Sequence, residues 1–311
     1  MSQVRETPAP AEVCILRLSA IGDTCHVLAV LRNLQSAWPQ TRFTWVIGQL
    51  EAQLFADVAG VEFITFDKRA GSRSQQLQPL RDRRFDILLH MHASMRANLV
   101  SRHIKAQRRI GFDRARARDF QWLFTRERIP HRPHQHVLDG LLGFVDFLGL
   151  QRTAPRWDIP IRDEDAAFAR QQRNADRGLV VLSPCSSQRA RNFRNWPVAR
   201  YAEIVDYLAD SYETDVVLTG GPTSLERDYA LEIGARSQAA VTDLVGKTSL
   251  RQLYALISEA DAVICPDSGP AHMATAAATP VIGLYASSNP GRTGPYRSRE
   301  LTVNRYPDAL R

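Results

Sequence analysis

Short apolar runs alternate along the chain with segments whose apolar positions recur every three to four residues. Residues 13–18 (VCILRL), 42–47 (RFTWVI), 61–66 (VEFITF) and 85–91 (FDILLHM) are compact, rich in β-branched and aromatic side chains, and predict strands. Between the first two, Val27, Leu28, Val30, Leu31, Leu34 and Ala37 fall at helical spacing and predict a helix over 24–37. HVLDGLLGFVDFLGL (136–150) predicts another. A polar, proline-containing stretch, QRTAPRWDIP (151–160), then interrupts the pattern and predicts a linker.

The alternation restarts beyond it. Strands are predicted over 178–183, 215–220, 261–266 and 280–285, and helices over 196–210, 224–235, 249–260 and 270–278. Pro197 suits a first helical turn and Ser249 an N-cap. Alternating β and α elements predict an α/β protein with parallel, doubly wound sheets. No internal repeat of fixed period is present. The expected organisation is therefore two α/β domains, 1–150 and 161–311, joined by residues 151–160.

Composition narrows the class. With 44% apolar and 23% charged residues among 311, the chain fits an ordinary globular protein and is not expected to be disordered. Four scattered cysteines (Cys14, Cys25, Cys185, Cys265) build no disulfide framework and suggest a reducing compartment. The N-terminal MSQVRETPAPAEV has no apolar run behind its charges, and no stretch approaches the ~20 apolar residues of a membrane span. A cytoplasmic location is expected.

The net charge of +7 is local. Residues 96–132 hold eleven cations and three acids, a net of +8, so the remainder carries −1. Almost all the cations of the chain are arginines, the lysines being Lys68, Lys105 and Lys247. Guanidinium forks match phosphate and carboxylate oxygens, so an anionic small substrate, an anionic membrane or nucleic acid is a candidate partner. A solvated arginine face is the simpler alternative. The aromatics of this window cluster at its C-terminal side, a weak pattern for base stacking.

Three loops carry candidate chemistry. Ser19-Ala20-Ile21-Gly22-Asp23 joins the first strand to the first helix, a junction where ligands of doubly wound sheets bind. Neither G-x-G-x-x-G nor G-x-x-x-x-G-K-[ST] is present there. Asp23 is then either a helix cap or a general base. Asp267-Ser268-Gly269-Pro270-Ala271-His272 again joins a strand to a helix, whose first amides favour an anion such as a diphosphate. Asp267 at that point suits sugar hydroxyls, with a plain capped helix as the alternative. Residues 186–197 offer Ser186, Ser187, Arg189, Arg191 and Arg194 near the same edge. An arginine here is suited to neutralising a departing phosphate without a metal. His90, His92, His131, His134 and His136 are not accompanied by nearby cysteines, and no metal site is expected.

Taken together, L-S-A-I-G-D (18–23), R-N-W-P (194–197), T-G-G-P-x-x-x-E-R (219–227), D-S-G-P-A-H (267–272) and P-V-I-G-L-Y-A-S-S-N-P-G-R-T-G-P-Y (280–296) resemble glycosyltransferase family 9, the ADP-heptose:lipopolysaccharide heptosyltransferases. The pieces stand in the family's order over nearly the whole chain. Members of the family continue past the Gly-Pro-Tyr stretch into a further helical segment, where fifteen residues follow here.

The resemblance implies the GT-B fold, two Rossmann-like domains facing a cleft, and an inverting, metal-independent transfer with no cofactor beyond the ADP-heptose donor. It implies that the first domain presents an inner-core lipopolysaccharide acceptor, Kdo-lipid A or heptosyl-Kdo-lipid A, and the second binds the donor. Asp23 falls on the family's base. Arg194, with Arg191 as the alternative register, falls on the leaving-group residue. Ser268 and Gly269 fall on the diphosphate motif, with Asp267 and His272 beside them. Ser186, Ser187 and Glu226 complete the expected donor set, Glu226 toward the ribose.

Ser19, Gly22, Arg96, Arg102 and Lys105 are the expected acceptor set. A basic first domain then fits an anionic acceptor at the cytoplasmic leaflet of the inner membrane, approached peripherally. The alternatives are the same fold with another nucleotide-sugar or a non-lipid acceptor, and a non-enzymatic basic nucleic-acid-binding protein.

Overall fold

A computed structural model describes residues 9–186 and 193–310, apart from the side chains of residues 73 and 74. The chain divides into two compact units, with the division between Asp158 and Ile159.

The first unit runs β1 (Glu12–Leu16), α1 (Ile21–Ala37), β2 (Arg42–Gly48), α2 (Gln49–Phe55), β3 (Glu62–Phe66), α3 (Arg73–Gln76), β4 (Arg84–His90), α4 (Met95–Ser101), β5 (Lys105–Gly111), β6 (Glu127–Arg128) and α5 (Val137–Phe147). Its strands form one parallel sheet in the order β3-β2-β1-β4-β5-β6. The central strands are apolar on both faces, as a sheet covered on two sides requires. Cys14, Leu16, Val46 and Leu88 pack on one face against Leu80, Ala97 and Val100.

Helix α1 is buried almost throughout, including its polar residues Asn33 and Arg32. Residues 153–158 explain this. Trp157 is 2% exposed and its indole N–H donates to Cys25 O at 2.8 Å. Arg32 donates to the carbonyls of Trp157 (3.2 Å) and Asp158 (3.0 Å), and Asn33 Oδ1 accepts from Thr153 N (2.7 Å). The polar stretch after α5 is thus a strap across α1 that supplies partners to its buried Arg32 and Asn33.

The second unit runs α6 (Asp163–Gln171), β7 (Gly178–Leu182), α7 (Val198–Tyr212), β8 (Thr214–Leu218), α8 (Ser224–Arg236), β9 (Val241–Asp243), α9 (Leu250–Glu259), β10 (Ala262–Pro266), α10 (Gly269–Ala277), β11 (Val281–Tyr285), α11 (Pro290–Thr293) and β12 (Val303–Asn304). The sheet order is β12-β11-β10-β7-β8-β9, all parallel. Counted within the unit, that is the same doubly wound order as the first sheet. Ser249 caps α9 in a full capping box with Gln252.

In such sheets the strand order reverses once, and the two loops leaving that point toward the carboxyl edge open a crevice. The reversal lies between β1 and β4 in the first unit and between β7 and β10 in the second.

Candidate active site at two switch points

In the first unit the loops leaving β1 and β4 meet. Arg17 is clamped between them, Nε donating to Ser19 O (2.7 Å) and one terminal nitrogen to Met91 O (2.7 Å). Its other terminal nitrogen ion-pairs with Asp23. The N-cap of α1 is Ala20, with no side-chain cap, so Asp23 is the third helical residue rather than the cap. Its side chain is 35% exposed, while Arg17 is 12% exposed. A fixed guanidinium thus orients a carboxylate that remains reachable from solvent.

His92 joins them. Its Nδ1 accepts from Leu18 N (3.1 Å). Burial first, and Arg17 second, hold its pKa down at about 3, although Asp23 opposes them. With Nδ1 taken as an acceptor, the neutral ring carries its proton on Nε2. Beyond Leu18, Gly48 approaches so closely that a Cβ there would lie 2.4 Å from Leu18 O and 2.3 Å from Glu51 Oε2. Burial raises the Glu51 carboxyl above its ordinary range. Ser19 and Gly22 lie in this same loop and first turn.

In the second unit the loops leaving β7 and β10 meet in the same way. Arg194 reaches Asp267, with 3.4 Å to the carboxylate and 3.4 Å to the carbonyl. Asp267 is 8% exposed at its side chain, and the same carboxylate oxygen accepts from Thr293 Oγ1 (3.1 Å). Ser186 is held by Asn195, whose Oδ1 accepts from its amide (2.8 Å) and hydroxyl (3.2 Å). Ser268 is the N-cap of α10, yet its hydroxyl does not cap the helix, and Gly269 begins it. The N-cap side chain therefore leaves the Gly269 and Ala271 amides at the start of α10 uncapped, and His272 sits in the first turn, 9% exposed.

Ser187 and Arg191 lie outside the described residues. Glu226 belongs to the start of α8: its carboxylate accepts from Gly221 N (2.8 Å) and Thr223 Oγ1 (2.5 Å), so it shapes the TGGP turn. The three acceptor-side cations do not form one group. Arg96 stands in the first turn of α4 at the carboxyl edge, the edge of Asp23. Helix α4 then carries the chain back, so Arg102 and Lys105 lie at the amino edge. There they line a separate concavity of about 600 Å³ with Arg81 and His103, and Lys105 Nζ donates to Arg81 O at 2.7 Å.

Three of the remaining histidines are engaged elsewhere. His90 is buried beside Gln121, His131 faces Asp113 at 3.0 Å, and His136 caps α5 through Leu138 N. Among the described residues no three His, Cys, Asp or Glu side chains gather as a ligand set. Burial pushes the Cys185 and Cys265 thiols up to about 12, so neither is a ready nucleophile.

Sequence reasoning missed Arg17, His92 and Thr293. Arg17 sits beside the motif, six residues before Asp23, and Thr293 lies within the G-R-T-G-P stretch. His92 had no local signal, because its partners come from the neighbouring strand's loop.

Comparison with known proteins agrees with this architecture. Residues 73–308 match the family model of glycosyltransferase family 9 (heptosyltransferase). The chain is 40% identical over 302 residues to the lipopolysaccharide core heptosyltransferase OpsX of Haemophilus influenzae, covering 96% of this chain and 86% of that one. Among solved structures, a family 9 glycosyl transferase of Veillonella parvula superposes with a TM-score of 0.81 at 21% identity, covering 94% of this chain and 85% of that one. The E. coli heptosyltransferase WaaC with ADP gives 0.77 at 24%, covering 94% and 92%. These structural likenesses carry the GT-B fold. The chain belongs to glycosyltransferase family 9, the heptosyltransferases, and is a transferase.

Proposed function

We propose that the chain transfers heptose from ADP-L-glycero-D-manno-heptose to an inner-core lipopolysaccharide acceptor, Kdo-lipid A or heptosyl-Kdo-lipid A. One observation carries the reading. The two switch points hold complementary chemistry: an oriented, reachable carboxylate in the first unit, and an arginine beside an uncapped helix start in the second. The named relative supports the acceptor class, since it is a lipopolysaccharide core heptosyltransferase. The WaaC structures with ADP and with ADP-2-deoxy-2-fluoro heptose support the donor class.

In this reading an acceptor hydroxyl oxygen attacks the anomeric carbon of the heptose. The bond from that carbon to the β-phosphate oxygen breaks, and the configuration inverts. The hydroxyl proton passes to Asp23. A carboxylate is an intrinsically weak base, so the proton leaves late, when the attacking oxygen has become acidic. ADP departs with its added charge met by Arg194 and the first amides of α10, the terms that replace a metal ion. Ser186, Ser268, Gly269 and His272 line the diphosphate side, and Asp267 both anchors Arg194 and faces sugar hydroxyls. Ser19, Gly22 and Arg96 border the acceptor.

In this reading the reaction takes place at the cytoplasmic leaflet of the inner membrane, approached peripherally. Among the described residues no helix is long and apolar enough to cross a membrane. A thermal-shift series with ADP, UDP and GDP tests the donor class. ADP alone should raise the unfolding midpoint, and stabilisation by UDP in its place would move the chain to another nucleotide-sugar.

A further inference from the structure

The segment between β5 and β6 wears its polarity inside out. Gln121 has no exposed surface. Its side-chain nitrogen donates to His90 O (2.8 Å), and its oxygen accepts from Phe112 N (3.2 Å). Around it, Phe120 is 58% exposed, Leu123 64% and Trp122 36%, with Met95 of α4 beside them at 41%. Folding of an isolated chain places such residues the other way round. Asp119 and Phe120 both have left-handed backbone, φ 53° and 59°, a costly conformation for a bulky side chain. It is held by Asp119, whose carboxylate accepts from Met95 N (2.9 Å) and whose carbonyl accepts from Asn98 Nδ2 (2.6 Å). Strain is thus maintained in order to display a phenylalanine to water.

The rim is basic. Arg114 lies over the Trp122 ring, 6.0 Å from its centroid. Among the described residues Arg96, Arg114 and Arg118 have no carboxylate partner. Their neighbours Arg108, Arg109 and Arg116 are taken by Glu127, by backbone carbonyls and by Asp113.

We propose that Met95, Phe120, Trp122 and Leu123, rimmed by Arg96, Arg114 and Arg118, are the surface by which this chain docks on an anionic lipid bilayer. The aromatic and leucine side chains enter the boundary between headgroups and acyl chains, and the guanidiniums meet lipid phosphates. A second copy of the chain fits poorly, because a two-fold contact sets the arginine rim against itself. The surface stands at the carboxyl edge that carries Asp23: Gln121 grips His90, which pairs with Leu16 at the end of β1. The choice of a bilayer rests on the lipid-linked acceptor of the proposed function; the inverted polarity stands without it.

The test is co-sedimentation of the full chain with phosphatidylglycerol/phosphatidylethanolamine vesicles and with pure phosphatidylcholine vesicles. The wild type should partition onto the anionic vesicles, and Phe120→Ser/Leu123→Ser should lower that partition about tenfold. Its unfolding midpoint and its turnover of a deacylated, water-soluble core acceptor should stay near wild type. Equal partition of variant and wild type would overturn the proposal. So would a wild type that ignores anionic vesicles, including one that self-associates through this face or binds only an acidic protein. Vesicle binding lost in the variant, with no transfer to any core acceptor by either protein, would uphold the docking surface and defeat the proposed function instead.

Discussion

Asp23 and Arg194 sit in different units, yet each is held by a partner of opposite charge at a strand-loop-helix junction. That pairing explains how an exposed functional side chain keeps one geometry. Replacing Asp23 by Asn removes the proposed proton acceptor and leaves the proposed donor half untouched. ADP affinity should remain within about twofold of wild type, while turnover falls at least about a hundredfold, as measured by calorimetry and ADP release. Arg194→Ala should act on both quantities, since in the proposed reading the guanidinium meets charge present in the bound donor and greater at departure. The KM for ADP-heptose should rise by about tenfold and kcat should fall with it. An unchanged donor KM would remove Arg194 from the phosphate site. Asp23 stands out in the sequence because it ends a short motif, whereas its partners do not. Arg17 and His92 act through loops of two strands distant in sequence, and only strand order brings them together.

At the level of elements, the apolar central strands were legible and the polar ones were not. β5 reads KAQRRIG, and its arginines merge with the basic window on either side. In the fold they are satisfied locally, Arg108 by Glu127 and Arg109 by the carbonyls of Ser101, Ile104 and Phe124. Missing that strand also made Arg96, Arg102 and Lys105 look like one patch, when α4 separates them to opposite edges.

The end of β4 has a consequence for pH. His90 and His92 are held down at about 3, by burial and then by Arg109 and Arg17 respectively, against an ordinary 6.5. Between those values the unfolded chain binds protons that the folded chain refuses, so stability falls as pH drops below about 6.5 and does not change above it through these groups. At pH 5 each imidazole accounts for up to about 2 kcal/mol of that loss. Urea unfolding at pH 7 and pH 5 should show the decline, and His92→Gln should make it shallower. An equal slope in the variant would mean that His92 is protonated in the native state.

For the whole molecule, the net charge of +7 has resolved into distinct uses. Some arginines of the basic window are structural, some rim an apolar surface at the carboxyl edge, and Arg102 and Lys105 line a concavity at the amino edge. Doubly wound α/β organisation was readable from the alternation of elements. The strap at 153–158 was not, because its role lies in satisfying buried polar groups of α1 that no local pattern reveals. The central proposal is transfer between a nucleotide-sugar donor and a lipopolysaccharide core acceptor. Purified protein with ADP-heptose and either Kdo-lipid A or heptosyl-Kdo-lipid A, in the presence of EDTA, measures that directly by product mass and anomeric configuration. The expected product is an acceptor heavier by one heptose residue and inverted at the anomeric carbon, formed at least about a hundredfold more slowly by Asp23→Asn. No transfer to either acceptor, transfer only after a divalent ion is restored, or a retained configuration would contradict it.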